Sequence, residues 1–551
     1  MWVHVSKDYD VVKIMKSMLE CATRKVCKLS HEDVIRNQFE VVLNKKFLLV
    51  LDDVWNEAPH DWDDFKLLFR LAHPGSRVIV TTRSTTVSSI VTSNGDILCL
   101  DILSHDHCWG IIKHGLRTNV EQRPDLKEIG VKLAEKCKGV PLVAKVIGDY
   151  LHIKSDQREW DSLLNCDLLN LAADDNNLYN VLKLSYDHLP ADLKRCFTYC
   201  SVIPHCQRVK VQDLIQMWAA QGFIQAQGAR RIDEIGMEYL LVSANFCLCV
   251  DDMSRFLNVS STVRHVCLLY QVDDSEVLAD LFKKCCTYKK LRTFMLVSDL
   301  VQPPRGLLES ELFEKFFQSF HLLRVLDLSG SGIRRLSNSV GNNTCLHYLN
   351  LCGTRIKVLP EGVGNLIGLE TFNLLDGPSI VEWPSNFEKL TKLRHLYYNK
   401  QGNGNMPRAL GKLTRLETLH TFVVKSEEGY EIEELKDMNC LCGSILIRGL
   451  ENVKDFHKAK AALLENKKFL DKLELQWAQQ REPTDETMNV DKEVLRGLKP
   501  HNRLTELEIK AYHGASLPDL LGNASCKLEK LVIDSCVELR FRAALSLYHC
   551  P

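Results

Sequence analysis

Apolar and polar residues change their rhythm several times along this chain, and each change predicts a different element. The run Phe47-Leu48-Leu49-Val50-Leu51 is five large apolar residues in succession, which predicts a strand buried on both faces of a parallel α/β sheet. A second such strand, Val78-Ile79-Val80, follows a short helical stretch from Trp62 to Ala72. Upstream, Trp2-Val3-His4-Val5 alternates as a strand does, and Val11 to Cys21 carries helical periodicity. Ser30-His31-Glu32-Asp33 reads as a capping box for a helix that sets Ile35, Phe39 and Val42 on one face. From Leu103 to about Asn177 the period is helical. Val211 to Phe223 predicts an amphipathic helix carrying Leu214, Ile215, Met217 and Trp218.

Beyond about Val263 a repeat takes over. Leu323-Arg324-Val325-Leu326-Asp327-Leu328 returns at Leu346, at Leu369 and, more weakly, at Leu393 and Leu416. Starting positions 323, 346, 369, 393 and 416 differ by 23, 23, 24 and 23, within the leucine-rich-repeat period of ~20 to 29 residues. Later copies around Leu473, Leu504 and Leu528 are spaced irregularly. Each copy is expected to send its first, fourth and sixth residues into a stacked core. The third and fifth then form two columns on the concave sheet. One is Val325, Tyr348, Thr371, His395 and Thr418; the other is Asp327, Asn350, Asn373, Tyr397 and His420. Such faces are usual protein-binding surfaces. The bland alternative is that they only keep the sheet soluble, and a third is that they hold another part of the same chain.

Candidate chemistry sits where the first two buried strands end. Asp52 and Asp53 follow Leu51, and Thr81-Thr82-Arg83 follow Val80. Strand ends of open α/β sheets are where ligands bind, and placing these strands side by side sets an arginine near two carboxylates. LLVLDDVW followed by GSRVIVTTR resembles the NB-ARC domain of plant intracellular immune receptors with leucine-rich repeats, in the branch with a coiled-coil N-terminus. That resemblance implies ADP/ATP with magnesium as cofactor. Asp52 would bind the metal, Asp53 would act near the γ-phosphate, and Thr82 and Arg83 would lie at the terminal phosphate. Cys137-Lys138-Gly139-Val140-Pro141-Leu142 is similar to the family's helical subdomain, which implies an adenine contact for Pro141. Leu182 to Pro190 and Leu193 to Pro204 resemble its winged-helix subdomain.

Two family motifs are missing from the sequence. No G-x-x-x-x-G-K-[ST] occurs, and that loop supplies the N–H groups and lysine that cradle phosphates. No Met-His-Asp occurs between Asn245 and His265. The expectation is a receptor shortened at its N-terminus and, lacking a polar capping repeat before Pro551, at its C-terminus too. Without the N-terminal signalling domain, it is not expected to signal cell death by itself.

The expected architecture is α/β. A partial nucleotide-binding domain spans 1–102, a helical subdomain 103–177, a winged-helix-like subdomain 178–262 and a leucine-rich-repeat solenoid 263–551. Composition fits an ordinary soluble protein, with 45% apolar and 26% charged residues. A net charge of -1 gives no reason to expect nucleic acid. No apolar run reaches the ~18 to 20 residues of a membrane span, and no signal peptide precedes the first strand, so a cytoplasmic location is expected. The 21 cysteines read as free thiols. His105-Asp106-His107-Cys108 reads as a polar turn before a helix, not a metal site.

The leading function is an innate immune receptor whose repeats sense a pathogen effector or a guarded host protein, with self-oligomerisation as in full-length relatives. The alternative is a protein-binding scaffold with a degenerate nucleotide module. A turnover ATPase is disfavoured, because no phosphate loop positions a substrate.

Overall fold

The computed structural model describes the chain apart from residues 6–10, 25–31, 93–96, 117–118, 153, 155, 166–185, 187–188, 204–208, 227–229, 245–262, 271–284, 299–310, 400–405, 480–483, 518–526, 537 and 540–551. Ser30 and His31 of the expected capping box, residues 166–177 of the expected helical region and residues 245–262 of the span without Met-His-Asp lie outside the described residues. Two compact units result, Met1–Pro190 and Ala191–Pro551.

The first unit opens with three parallel strands, β1 (Trp2–His4), β2 (Leu48–Asp52) and β3 (Arg77–Val80), in the order β1-β2-β3. Helices α1 (Val11–Thr23), α2 (Glu32–Leu43), α3 (Pro59–Leu68) and α4 (Thr85–Val91) accompany them. Met15, Met18, Ile35, Phe39, Trp62, Phe65 and Val87 from these helices share one core with Val3, Leu49 and Leu51. The expectation that β2 is buried on both faces is corrected here. Side chains alternate along a strand, so Leu49 and Leu51 enter that core while Leu48 points the other way. On that other face Trp2, Leu48 and Ile79 are 63%, 52% and 50% exposed.

A separate helical core follows, built from α5 (His105–Gly115), α6 (Pro124–Lys136), α7 (Pro141–Leu151) and α8 (Gln157–Leu164). Ile112, Leu126, Leu133, Ile147 and Trp160 fill it. Helices α5 and α7 cross closely at Gly115 and Gly148, where a Cβ on Gly115 would meet the Gly148 carbonyl carbon at 3.0 Å. The predicted polar turn at His105–Cys108 is instead the first turn of α5. Ser104 caps it, its hydroxyl accepting from the His107 N–H at 3.3 Å, and Cys108 is buried.

The second unit begins with α9 (Ala191–Cys200), α10 (Val211–Gln221) and α11 (Ile232–Ala244). Gly222, at φ 75°, ends α10 in the left-handed conformation that glycine adopts without penalty. Seven parallel strands then run in sequence order: β4 (His265–Tyr270), β5 (Thr293–Ser298), β6 (Val325–Asp327), β7 (Tyr348–Asn350), β8 (Thr371–Asn373), β9 (His395–Tyr397) and β10 (Thr418–Leu419). A second parallel sheet carries β11 (Thr421–Val423), β12 (Cys442–Arg448), β13 (Phe469–Gln476), β14 (Glu506–Lys510) and β15 (Lys530–Asp534).

The repeat positions behave as their spacing predicts. Leu323, Leu326 and Leu328 stack on Leu346, Leu349 and Leu351, then on Leu369, Phe372 and Leu374, and on Leu393, Leu396 and Tyr398. Tyr398 takes a leucine position because its hydroxyl donates to the Thr421 carbonyl. The irregular copies at Leu473, Leu504 and Leu528 fall in or just before β13, β14 and β15. Lys289 and Lys290 occupy an exposed turn. Among the described residues no helix is long and apolar enough to cross a membrane.

Leu349 has no solvent exposure, so Leu349→Ala opens a cavity and is expected to cost about 2–5 kcal/mol. Urea denaturation should show a lower midpoint at unchanged slope. Leu322→Ala, at an exposed position, should change stability by less than about 0.5 kcal/mol.

Candidate functional site

Two places gather the residues singled out by the sequence. The first is the end of β2 and β3. Asp53 sits at φ 54°, so the chain turns sharply as soon as the strand ends. Three bonds stitch this turn to the neighbouring strand end. The Asp53 N–H donates to the Thr81 hydroxyl oxygen (2.9 Å), the Val54 N–H to the Thr81 carbonyl (2.9 Å) and the Thr82 hydroxyl to the Val54 carbonyl (2.7 Å).

On this frame Asp52 accepts from the Thr81 hydroxyl at 2.6 Å and from the Trp2 indole N–H at 3.2 Å. The Arg83 Nε lies 3.4 Å from Asp53 Oδ1, and its guanidinium stands 5.5 Å over the Trp55 ring. Asp52, Asp53, Thr82 and Arg83 therefore meet in one cluster. The Thr82 hydroxyl is committed to backbone, since it also accepts from the Ser84 N–H at 3.0 Å. Pro141 is the exposed first residue of α7, on the separate helical core.

Trp2 is the cluster member the sequence reading missed, and Thr81, placed there at the strand end, was given no role. Strand register would have given Thr81 one, because Leu51 pairs with Val80 and the next residues are Asp52 and Thr81. As a donor set, hard carboxylate oxygens at strand ends suit magnesium, which is commonly held by one or two carboxylates and waters. Asp52 fits a water-mediated contact of that kind, while Asp53 is already paired with a cation.

The second place is the concave face of the seven-stranded sheet. Both predicted columns are largely covered there, because α10 packs against β6 and β7. Val325 and Tyr348 are fully buried in a core with Met295, Leu214, Ile215, Met217 and Trp218. Thr371 and His395 are buried too, and Tyr397, Thr418 and His420 are half-buried. Gln216 of α10 donates from Nε2 to the Tyr397 hydroxyl at 2.8 Å. His395 Nδ1 lies 3.0 Å from the Thr418 hydroxyl, and burial holds its pKa down to about 3.

Asp327, Asn350 and Asn373 do something else. Each side-chain oxygen accepts the backbone N–H two residues on, from Ser329, Cys352 and Leu375 at 2.9, 3.0 and 3.0 Å. They fold the turn that leaves each strand.

A polar clamp closes the edge of this contact. The Arg231 guanidinium, just ahead of α11, donates to Glu417 at 2.8 Å and to Asp233 at 3.4 Å, and lies 3.1 Å from the Cys442 sulfur. Arg394 holds the other Glu417 oxygen at 2.6 Å. Asp233, His395 and Glu417 bring ligand atoms within 4.8 Å of one another, but Arg231 already supplies the positive charge both carboxylates need.

With this geometry in place, the relatives are informative. Residues 1–120 match the NB-ARC domain model, 202–265 the disease resistance protein winged helix domain, and 432–547 the R13L1/DRL21 LRRs. Putative disease resistance protein RGA1 of Solanum bulbocastanum is 32% identical over 98% of this chain and 54% of its own length. Putative disease resistance RPP13-like protein 1 of Arabidopsis thaliana is 31% identical over 98% and 54%. Disease resistance protein RGA2 of Solanum bulbocastanum is 31% identical over 96% and 54%. The chain is thus of the NB-ARC, winged-helix and leucine-rich-repeat type that plant disease resistance proteins share. It spans about half the length of the curated relatives it matches.

Two outcomes follow for the covered face. Arg231→Ala leaves Glu417 and Asp233 short of a partner, which should weaken the helix–repeat contact by about 1–3 kcal/mol, read as faster amide exchange in α10 and α11. Asp213 on α10 is pushed up to about 6, first by burial and then by Asp327, against the pull of Lys210. Its raised value means that Asp213's own contribution is fully present near pH 4, below the ordinary carboxylate range, and is lost as pH rises through 6, while buried His395 acts in the opposite sense. The difference in α10 amide exchange between the unmodified chain and Asp213→Asn should therefore track that window, by up to about 3 kcal/mol.

Proposed function

We propose that this chain is the switch-and-sensor portion of a plant innate immune receptor, in which an ADP/ATP-responsive module acts with effector-sensing repeats. The observation that carries this reading is the Asp53–Arg83 contact at the ends of two adjacent parallel strands. That pair is solvent-exposed, with side chains 31% and 72% accessible, so separating it costs little. Arg83 can then exchange its carboxylate for the terminal phosphate of ATP, a stronger bidentate partner. Asp52 would hold magnesium through water, Asp53 would face the γ-phosphate, Thr82 would keep the strand ends joined beneath them, and Pro141 would contact adenine. Magnesium, when bound, would neutralise phosphate charge.

The repeats would sense a pathogen effector or a guarded host protein by competing with α10 for the concave columns. The covered contact suits release. The Tyr348 hydroxyl, Gln216 Oε1, Gln221 Oε1 and Trp218 Nε1 are buried there without a protein hydrogen-bond partner, which holds its net stability down. Self-oligomerisation on activation and a cytoplasmic location complete the reading. The module would act by binding, not turnover.

A second reading, a repeat scaffold with a degenerate nucleotide module, is favoured by the strand-end cluster itself, where the Thr82 hydroxyl is committed to backbone and Asp53 is already paired with Arg83. Calorimetric titration of the chain with ADP and with magnesium-ATP separates the two. The switch predicts micromolar binding of both, with Arg83→Ala weakening ATP at least about tenfold, or ~1.4 kcal/mol, and ADP much less. No heat with either nucleotide, from a chain with an intact circular dichroism spectrum, would leave only the scaffold.

A further inference from the structure

The residue that precedes each strand of the seven-stranded sheet stacks, through its backbone, on the same residue of the next repeat. The Arg292 N–H donates to the Arg264 carbonyl, Arg324 to Arg292, and His347 to Arg324, at 2.6, 2.8 and 2.9 Å. Glu370, Arg394 and Glu417 continue the row. Charge is balanced at its far end, where Arg394 and Glu417 are paired at 2.6 Å. At its near end three arginines stand in succession, about 4.8 Å apart from strand to strand.

Among the described residues, Arg264, Arg292 and Arg324 have no carboxylate partner. The exposed turn before Arg292 adds Lys289 and Lys290. Arg324 is fixed in place by donating from Nη1 to the Gln221 carbonyl at the end of α10, at 2.7 Å. Burial, then the Arg324 and Arg264 charges, work against the charge on Arg292. His265 beside them contributes none at neutral pH, because burial and then Arg292 and Arg264 hold its pKa down to about 4. Uncompensated guanidinium groups held together in a folded protein are stabilised by an anion.

We propose that Arg264, Arg292 and Arg324 form a binding site for a compact polyanion bearing phosphate groups. The guanidinium fork takes phosphate oxygens two at a time, and a phosphate can bridge neighbouring forks. An extended acidic peptide matches less well. It repeats a same-side carboxylate every ~6.8 Å, out of step with a row spaced at about 4.8 Å.

The test is titration of inorganic tripolyphosphate, without magnesium, into the full chain at low salt. Micromolar binding is expected, weakening as salt is raised. The double variant R264Q/R292Q should lose at least about tenfold in affinity, and R264Q alone, at the exposed end of the row, about threefold. All of these titrations are made in the R83Q background, which removes the strand-end cluster of the first unit from the readout. The proposal is overturned if tripolyphosphate does not bind, or if it binds equally to the folded R264Q single variant. Tighter binding of a poly-glutamate peptide of equal charge would also overturn it, in favour of a protein partner.

Discussion

The burial of Val325 and Tyr348 beneath α10 is the contact on which the second unit depends. Strand positions that face outward in a leucine-rich repeat normally meet water, and here they meet Trp218, Met217 and Ile215. Fully burying side chains of this size is worth roughly 1.5–3 kcal/mol each. That gain draws a polar fringe into place around it: Gln216 on Tyr397, Gln221 on Thr293, and Arg231 on Glu417. Remove the apolar centre and the fringe alone is a set of partly exposed polar contacts of modest worth.

The two units use parallel strands for different ends. In the first, strand ends matter: β2 and β3 stop together, and the turn at Asp53 leaves two carboxylates and an arginine projecting from the sheet. In the second, strand faces matter, because the sheet is long, each strand short, and every outward residue joins a column. The first arrangement suits a small ligand approached end-on, and the second suits a broad surface. Charge follows the same division. Arg83 is one cation aimed at one pair, whereas the row from Arg264 to Glu417 spreads its charges over seven repeats.

The NB-ARC and winged-helix models cover the strand-end cluster and all of α10 and α11, and the repeat model covers 432–547. The regular ladder from Leu323 to Leu419 falls outside those matches, yet its 23-residue spacing is the plainest signal in the chain. Its inward leucines are set by backbone geometry and need no family to be recognised.

Much of this is legible in the sequence alone. The apolar run ending in Asp52-Asp53, the second run ending in Thr82-Arg83 and the leucine ladder each announce an element, because strand alternation and stacked cores are local, periodic requirements. What the linear order could not decide is which surface meets which. That β2 is covered on one face only depends on where four helices find room. That Tyr348 and His395 are buried depends on a helix more than a hundred residues away. That Asp327, Asn350 and Asn373 fold turns is a local option open to any Asp or Asn, each accepting the N–H two residues on, and only the folded chain shows it taken. Periodicity fixes which way a side chain points; only the packed chain decides what it finds there.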